Sequence, residues 1–161
     1  MKNLLLASLF VLTLIQPSFS AGSSGDSSAT KTDYEKAVKY VKQAKKYEEK
    51  GKTDKAQKRY QKAQKLLIAS NAKIPNKADT LNYLGFTTRK LGDFETGEKY
   101  YLEGLAIEPG HIGINEYLGE LYVATGRIDL AKERLNILKN CNCVEFEELK
   151  EIIEGKKKSK Y

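Results

Sequence analysis

Small and apolar residues recur at three- and four-residue steps through most of the chain after residue 33, and no stretch alternates convincingly with the period of two that marks a strand. Ala37, Tyr40, Val41, Ala44 and Tyr47 outline one face of a first helix, from about Asp33 to Lys50, which Gly51 stops. Thr53 or Asp54 can cap a second helix, which carries Ala56, Tyr60, Ala63, Leu66 or Leu67 and Ser70 and ends before the breaker Pro75. A third holds Leu81, Leu84, Gly85 and Thr88, closes at Gly92 and hands over at Asp93 to a fourth with Gly97, Tyr101, Gly104 and Leu105. Leu118, Gly119 and Tyr122, then Ala131, Leu135 and Leu138, repeat the scheme, and Phe146, Leu149 and Ile153 face one side of a last, glutamate-rich helix. The expected fold is all-α.

Two of these helices are copies. Tyr83, Leu84, Gly85 and Gly92 recur as Tyr117, Leu118, Gly119 and Gly126, each 34 residues on. A fixed period of that length signals stacked helical hairpins. Glycine inside a helix costs about 0.8–1 kcal/mol relative to alanine, so Gly119 needs a reason. Small residues at matching places in both helices of each pair supply one: Ala44 with Ala56 and Ala63, Gly85 with Gly97 and Gly104, Gly119 with Ala131. They let the two backbones of a hairpin approach, and Gly119 is expected to mark such a contact.

These positions resemble the tetratricopeptide repeat, with its large residue, Leu-Gly pair, aromatics, alanine and closing proline. The second repeat matches at Leu84, Gly85, Tyr101 and Pro109, with Leu81 in the large position; the third matches at Leu118, Gly119, Tyr122 and Ala131. The first matches at Tyr40, Ala44, Tyr47, Gly51, Ala56, Tyr60 and Ala63 without Leu-Gly. Its start at Ala37 lies 41 residues before Ala78, seven more than the period. Two extra helical turns absorb seven residues without changing the buried face. The resemblance implies a right-handed α-solenoid: a helical-hairpin repeat stack over 33–155, with three repeats at about 37–70, 78–111 and 112–143 and a capping helix at 144–154. The chain also resembles small exported tetratricopeptide proteins of proteobacteria, which end their last repeat in a cysteine-containing turn before an acidic helix.

Both ends differ from this core. Residues 1–20 combine Lys2, an uncharged apolar run from Leu4 to Ile15, Pro17 and the small residues Ser18 and Ser20, the order of a cleaved secretory signal peptide. Residues 21–32 hold nothing large and apolar and are expected to form a flexible lead. The mature chain is therefore expected in the periplasm. The net charge of +7 over the full chain is unevenly spread. Lys31 to Lys65 contains 13 Lys and Arg against 5 acids, Leu66 to Gly155 contains 10 against 15, and the tail at 156–161 is basic.

Little in the chain suggests catalysis. His111 is the only histidine and has no cysteine or carboxylate beside it at metal or triad spacing, so a helix-start or surface role is expected. No Gly-rich phosphate loop joins a strand to a helix. No catalytic residue, resident metal or cofactor is expected. Cys141 and Cys143 remain the sharpest chemical feature. In an oxidising compartment they can form a structural bridge, act as a reducible pair or hold Cu(I), whereas zinc needs further ligands. Lysine stripes on the first two helices, Lys36, Lys39, Lys42 and Lys46, then Lys55, Lys58, Lys62 and Lys65, read as a solvated face with weak attraction for anionic surfaces, as does the tail. Nucleic acid is not an expected partner, because no aromatic platform is interleaved with those lysines.

The resemblance implies a non-enzymatic adaptor that binds a protein or peptide segment along the concave surface built by the first helix of each repeat. The exposed positions there are expected to be Asp79, Asn82, Phe86, Arg89, Lys90, Glu116 and Glu120. Chaperone-binding members of the family clamp a terminal carboxylate with Lys, Asn and Arg; here those places include Val41, Tyr83 and Glu116, so the likeness does not extend to that clamp. The competing expectation is a thiol-redox or Cu(I)-handling protein that works through Cys141 and Cys143.

Overall fold

The structure, a computed structural model, describes residues 31–159. The expected signal peptide and most of the expected lead lie outside the described residues. Within them run seven helices: α1 (Asp33–Glu48), α2 (Thr53–Lys73), α3 (Ala78–Lys90), α4 (Phe94–Ile107), α5 (Ile112–Ala124), α6 (Ile128–Leu138) and α7 (Val144–Ile153).

Local chemistry explains the helix ends. Thr32 caps α1: its hydroxyl accepts the Glu35 N–H at 3.2 Å, while the Glu35 carboxylate accepts the Thr32 N–H at 2.8 Å. Thr32, assigned by composition to the flexible lead, is thus part of the first helix's start. The three hairpins turn through one motif. Lys52, Asp93 and Arg127 donate their N–H groups five residues back to Tyr47, Thr88 and Tyr122, and the preceding glycine in each turn has positive φ. This is the Schellman ending, which needs a left-handed residue that glycine supplies without a Cβ penalty. Because the Lys52 N–H is bonded back into α1, the chain enters α2 directly at Thr53. Neither Thr53 nor Asp54 is the cap, as the spacing had suggested; Lys52 holds that position without a side-chain bond.

Each hairpin packs as a pair, α1 with α2, α3 with α4, and α5 with α6. Successive pairs join through α2 against α3 and α4 against α5, and α7 closes the stack on α5 and α6. Helix α2 has 21 residues and α4 has 14, so the seven residues in excess of the period lie in α2. Among the described residues the backbone of α1 approaches that of α3 and α3 that of α5, whereas the backbones of α2, α4 and α6 stay apart from one another. The first helices are therefore drawn together on the inner side of a curved stack. One buried cluster joins Ala37, Val41, Ala44, Tyr60, Leu67 and Phe86; a second joins Tyr101, Ile114, Leu118, Leu121 and Ala131.

Gly85 and Gly119 are copies in sequence with different neighbours. A Cβ on Gly85 would lie 2.5 Å from the Tyr101 ring of its own hairpin partner, α4. A Cβ on Gly119 would lie 2.5 Å from Leu149 Cδ2, which belongs to α7. The missing side chain at Gly119 admits the closing helix, not the hairpin partner α6. The corresponding residue to Tyr101 is the smaller Leu135, and the space is filled from the end of the stack. Helix α7 ends in the same glycine motif at Gly155, and the beginning of the basic tail folds onto it, with Lys157 donating to Glu148 at 2.9 Å.

Candidate functional site

The inner surface of α1, α3 and α5 collects most of the unusual side-chain chemistry. Phe86, Arg89, Glu116 and Glu120, expected to be exposed there, are buried, as is Asn82. Asp79 is exposed and Lys90 half-buried. The correction follows from curvature: positions that face a groove in a flatter stack are covered here by the neighbouring first helices. Phe86 meets Tyr60 edge-on at 5.8 Å between centroids and Tyr117 at 5.0 Å. Lys45 of α1 reaches across, its Nζ 4.6 Å from the Phe86 centroid and 3.0 Å from the Tyr117 hydroxyl, to which it donates.

Beneath this lid Arg89 and Glu120 pair at 3.4 Å with both side chains 0% exposed. Arg89 also donates Nη1 to the Tyr117 carbonyl at 2.6 Å. Its guanidinium lies 5.4–5.8 Å from the rings of Phe86, Tyr101 and Tyr117. Burial pushes the Arg89 pKa below the ordinary arginine value, while Tyr101, Glu120, Tyr117 and Glu116 favour the cation. Burial likewise raises the pKa of the Tyr101 hydroxyl. A second junction forms at Glu48, which accepts from Tyr60 at 2.7 Å and pairs with Lys90 at 2.7 Å, tying α1, α2 and α3 together. These charged groups fix the relative placement of the helices.

What the inner surface does present are tyrosines. Tyr34, Tyr83 and Tyr117 are half-buried, with Tyr34 and Tyr83 edge-on at 5.9 Å. Burial, followed by the nearby Asp79 charge, pushes the Tyr34 hydroxyl up to about 12, and burial raises that of Tyr83, so these two are neutral donors and acceptors at ordinary pH. His111 sits at the rim. Its Nδ1 accepts the Ile114 N–H at 3.1 Å and caps α5, which leaves the proton on Nε2, 3.3 Å from the exposed Asp79 carboxylate. The buried Asn82 amide lies under the start of α5, where a Cβ on Gly113 would come within 2.8 Å of Nδ2. Tyr83 and Tyr117 mark the repeats, and their recurrence directly before both Leu-Gly pairs is the sequence signal for this row; Tyr34 and Lys45 carry no such signal.

Cys141 and Cys143 are joined by a disulfide in the α6–α7 turn, with Cys143 at the start of α7. Among the described residues, no group of three or more His, Cys, Asp or Glu side chains is arranged to hold a metal, and no helix is long and apolar enough to cross a membrane.

No family model matches the chain, and no curated protein matches it. Solved structures do. The translocator chaperone SycD of Yersinia enterocolitica type III secretion superposes with a TM-score of 0.54 at 18% identity, over 84% of this chain and 91% of that one. The fold is a tetratricopeptide-like stack. The first tetratricopeptide domain of Spaghetti (RPAP3), bound to the HSP90 peptide SRMEEVD, aligns at 20% identity over 77% of this chain and 95% of that one, with a TM-score of 0.49.

Proposed function

We propose that this chain is a non-enzymatic adaptor of the periplasm that holds an extended segment of a partner protein against the inner surface of α1, α3 and α5. The carrying observation is the row of half-buried tyrosines, Tyr34, Tyr83 and Tyr117, mounted on a locked Arg89–Glu120 and Glu48–Lys90 framework. Tyrosine combines a broad apolar face with a hydroxyl at low conformational cost, the property that makes it frequent at protein contacts. A rigid support reduces the ordering lost on binding. The tetratricopeptide-like fold supports the same reading, since such stacks offer extended concave binding surfaces. The leader-like first 20 residues support export.

The test is a selection of displayed random peptides on the mature chain, followed by affinity measurement with variants. Tyr83→Ala and Tyr117→Ala are expected to weaken selected peptides by ten-fold or more, while Leu102→Ser on the outer face leaves binding unchanged. Peptides that bind both tyrosine variants as tightly as the parent would remove the inner surface from the account.

The bridged turn supports a second reading, a thiol-redox protein. A disulfide across one intervening residue closes a small loop and contributes little chain-entropy stabilisation, so its value would lie in chemistry. Unchanged peptide binding and unchanged resistance to oxidants in Cys143→Ser would exclude it.

A further inference from the structure

A cationic trough lies on the outer side of the first helix pair, away from the tyrosine surface. It has a volume of about 530 Å³ and is bounded by Tyr47 of α1 and by Lys55, Lys58, Arg59, Gln61, Lys62 and Lys65 of α2. No acid lines it. The opposite side of α2 is committed to the stack: Gln57 and Gln64 donate to the Lys90 carbonyl and Thr88 hydroxyl of α3, and Tyr60 and Leu67 are buried. Nearby acids are engaged or set aside, with Glu48 turned to Tyr60 and Lys90, and Glu49 and Asp54 outside the lining. Arg59 and Lys62 stand 5.5 and 5.9 Å from the ring of Tyr40 on α1, a contact that leaves both cations without a carboxylate partner there.

Five cations without an interspersed carboxylate repel one another in the free protein, and a dense anion relieves that repulsion. The residue types select the anion. None of the large exposed aliphatic side chains belongs to the trough, so a lipid surface finds no wedge to insert, and the single half-buried Tyr47 ring is little apolar surface for a peptide against five cations. Lysine ammoniums act as point charges toward phosphate, and the Tyr47 hydroxyl and Gln61 amide add donors for phosphate oxygens. Lys55 to Lys65 extends about 15 Å along the helix, a length suited to a chain of anions over a single one. We propose that this trough binds a linear polyphosphate.

Titrating the full mature chain with short-chain inorganic polyphosphate tests the assignment. Binding is expected to weaken on the order of 10²-fold between about 50 and 200 mM salt, as several phosphate contacts require. The variant Lys58→Glu/Lys62→Glu/Lys65→Glu should lose binding, while Lys77→Glu/Lys139→Glu/Lys158→Glu, of equal net charge, keeps it. Circular dichroism checks that both variants remain helical. The proposal is overturned if the second variant loses binding as fully as the first, or if poly-glutamate, oligothymidylate or anionic lipid vesicles bind the parent as tightly as polyphosphate.

Discussion

Two sets of charges separate this molecule into a framework and a surface. On the inner side, Arg89, Glu116 and Glu120 are buried among aromatic rings, and the Arg89–Glu120 pair is fully out of solvent. On the outer side of α2, Lys55, Lys58, Lys62 and Lys65 remain exposed around a trough without acids. Both sets are formally charged, yet the first, of mixed sign, holds helices in register and the second, all cations, faces whatever approaches. In the interior each charge has lost its hydration and depends on a specific partner; at the surface water and salt screen it.

Removing one partner from each region should separate them most clearly. Arg89→Ala leaves Glu120 in the core and is expected to cost about 3–5 kcal/mol in urea unfolding, whereas Lys62→Ala should stay within about 0.5 kcal/mol. Arg89→Met/Glu120→Leu should recover most of that loss, because both desolvation penalties disappear together. Equal effects of Arg89→Ala and Lys62→Ala would erase the distinction. A substitution that combines Phe86→Ala with Arg89→Glu, a natural probe of a supposed exposed groove, is expected to unfold the stack.

The duplicated glycines sharpen the contrast between core and end. Leu149→Ala is expected to cost about 2–5 kcal/mol and Gly119→Ala about 1–3 kcal/mol. Their combination should cost less than the sum, since the added methyl enters space the leucine vacated. Strict additivity in a double-mutant cycle would show that Gly119 does not serve α7.

Smaller effects belong to the turns. Gly92→Ala places a Cβ on a residue with φ of +99° and is expected to cost about 1–2 kcal/mol, measurable as a lower urea midpoint with unchanged slope. The smallest concerns Asp93, whose carboxylate accepts the Thr96 N–H at 3.0 Å and caps α4. That backbone bond holds its pKa below the ordinary carboxylate value. Its contribution is therefore present above the unfolded-state value and disappears as pH falls through the lower folded value. Asp93→Ala should destabilise the chain at neutral pH and approach the parent in acid; a difference independent of pH would argue against the cap.

How far the site could be read in advance varied by residue. His111 starts α5, a role within reach of local spacing, whereas its contact with Asp79, 32 residues away, is set by the stacking of two repeats. Phe86, Arg89, Glu116 and Glu120 were assigned to the right helices but to the wrong environment, because helical periodicity names a face without saying what covers it. Lys45 illustrates the difficulty: it belongs to a lysine-rich helix, yet its ammonium crosses to Tyr117, 72 residues away.

The sequence by itself determined the helices, their hairpin turns and their stacking, because those follow from local signals: the 34-residue recurrence, apolar steps of three and four, and glycines that admit positive φ. Only the tertiary structure decided that Gly119 serves α7, that Cys141 bonds Cys143, and that the inner charges are framework beneath tyrosines. These outcomes depend on how tightly the stack curves and on which distant side chain fills each space, quantities set by packing among all the helices at once.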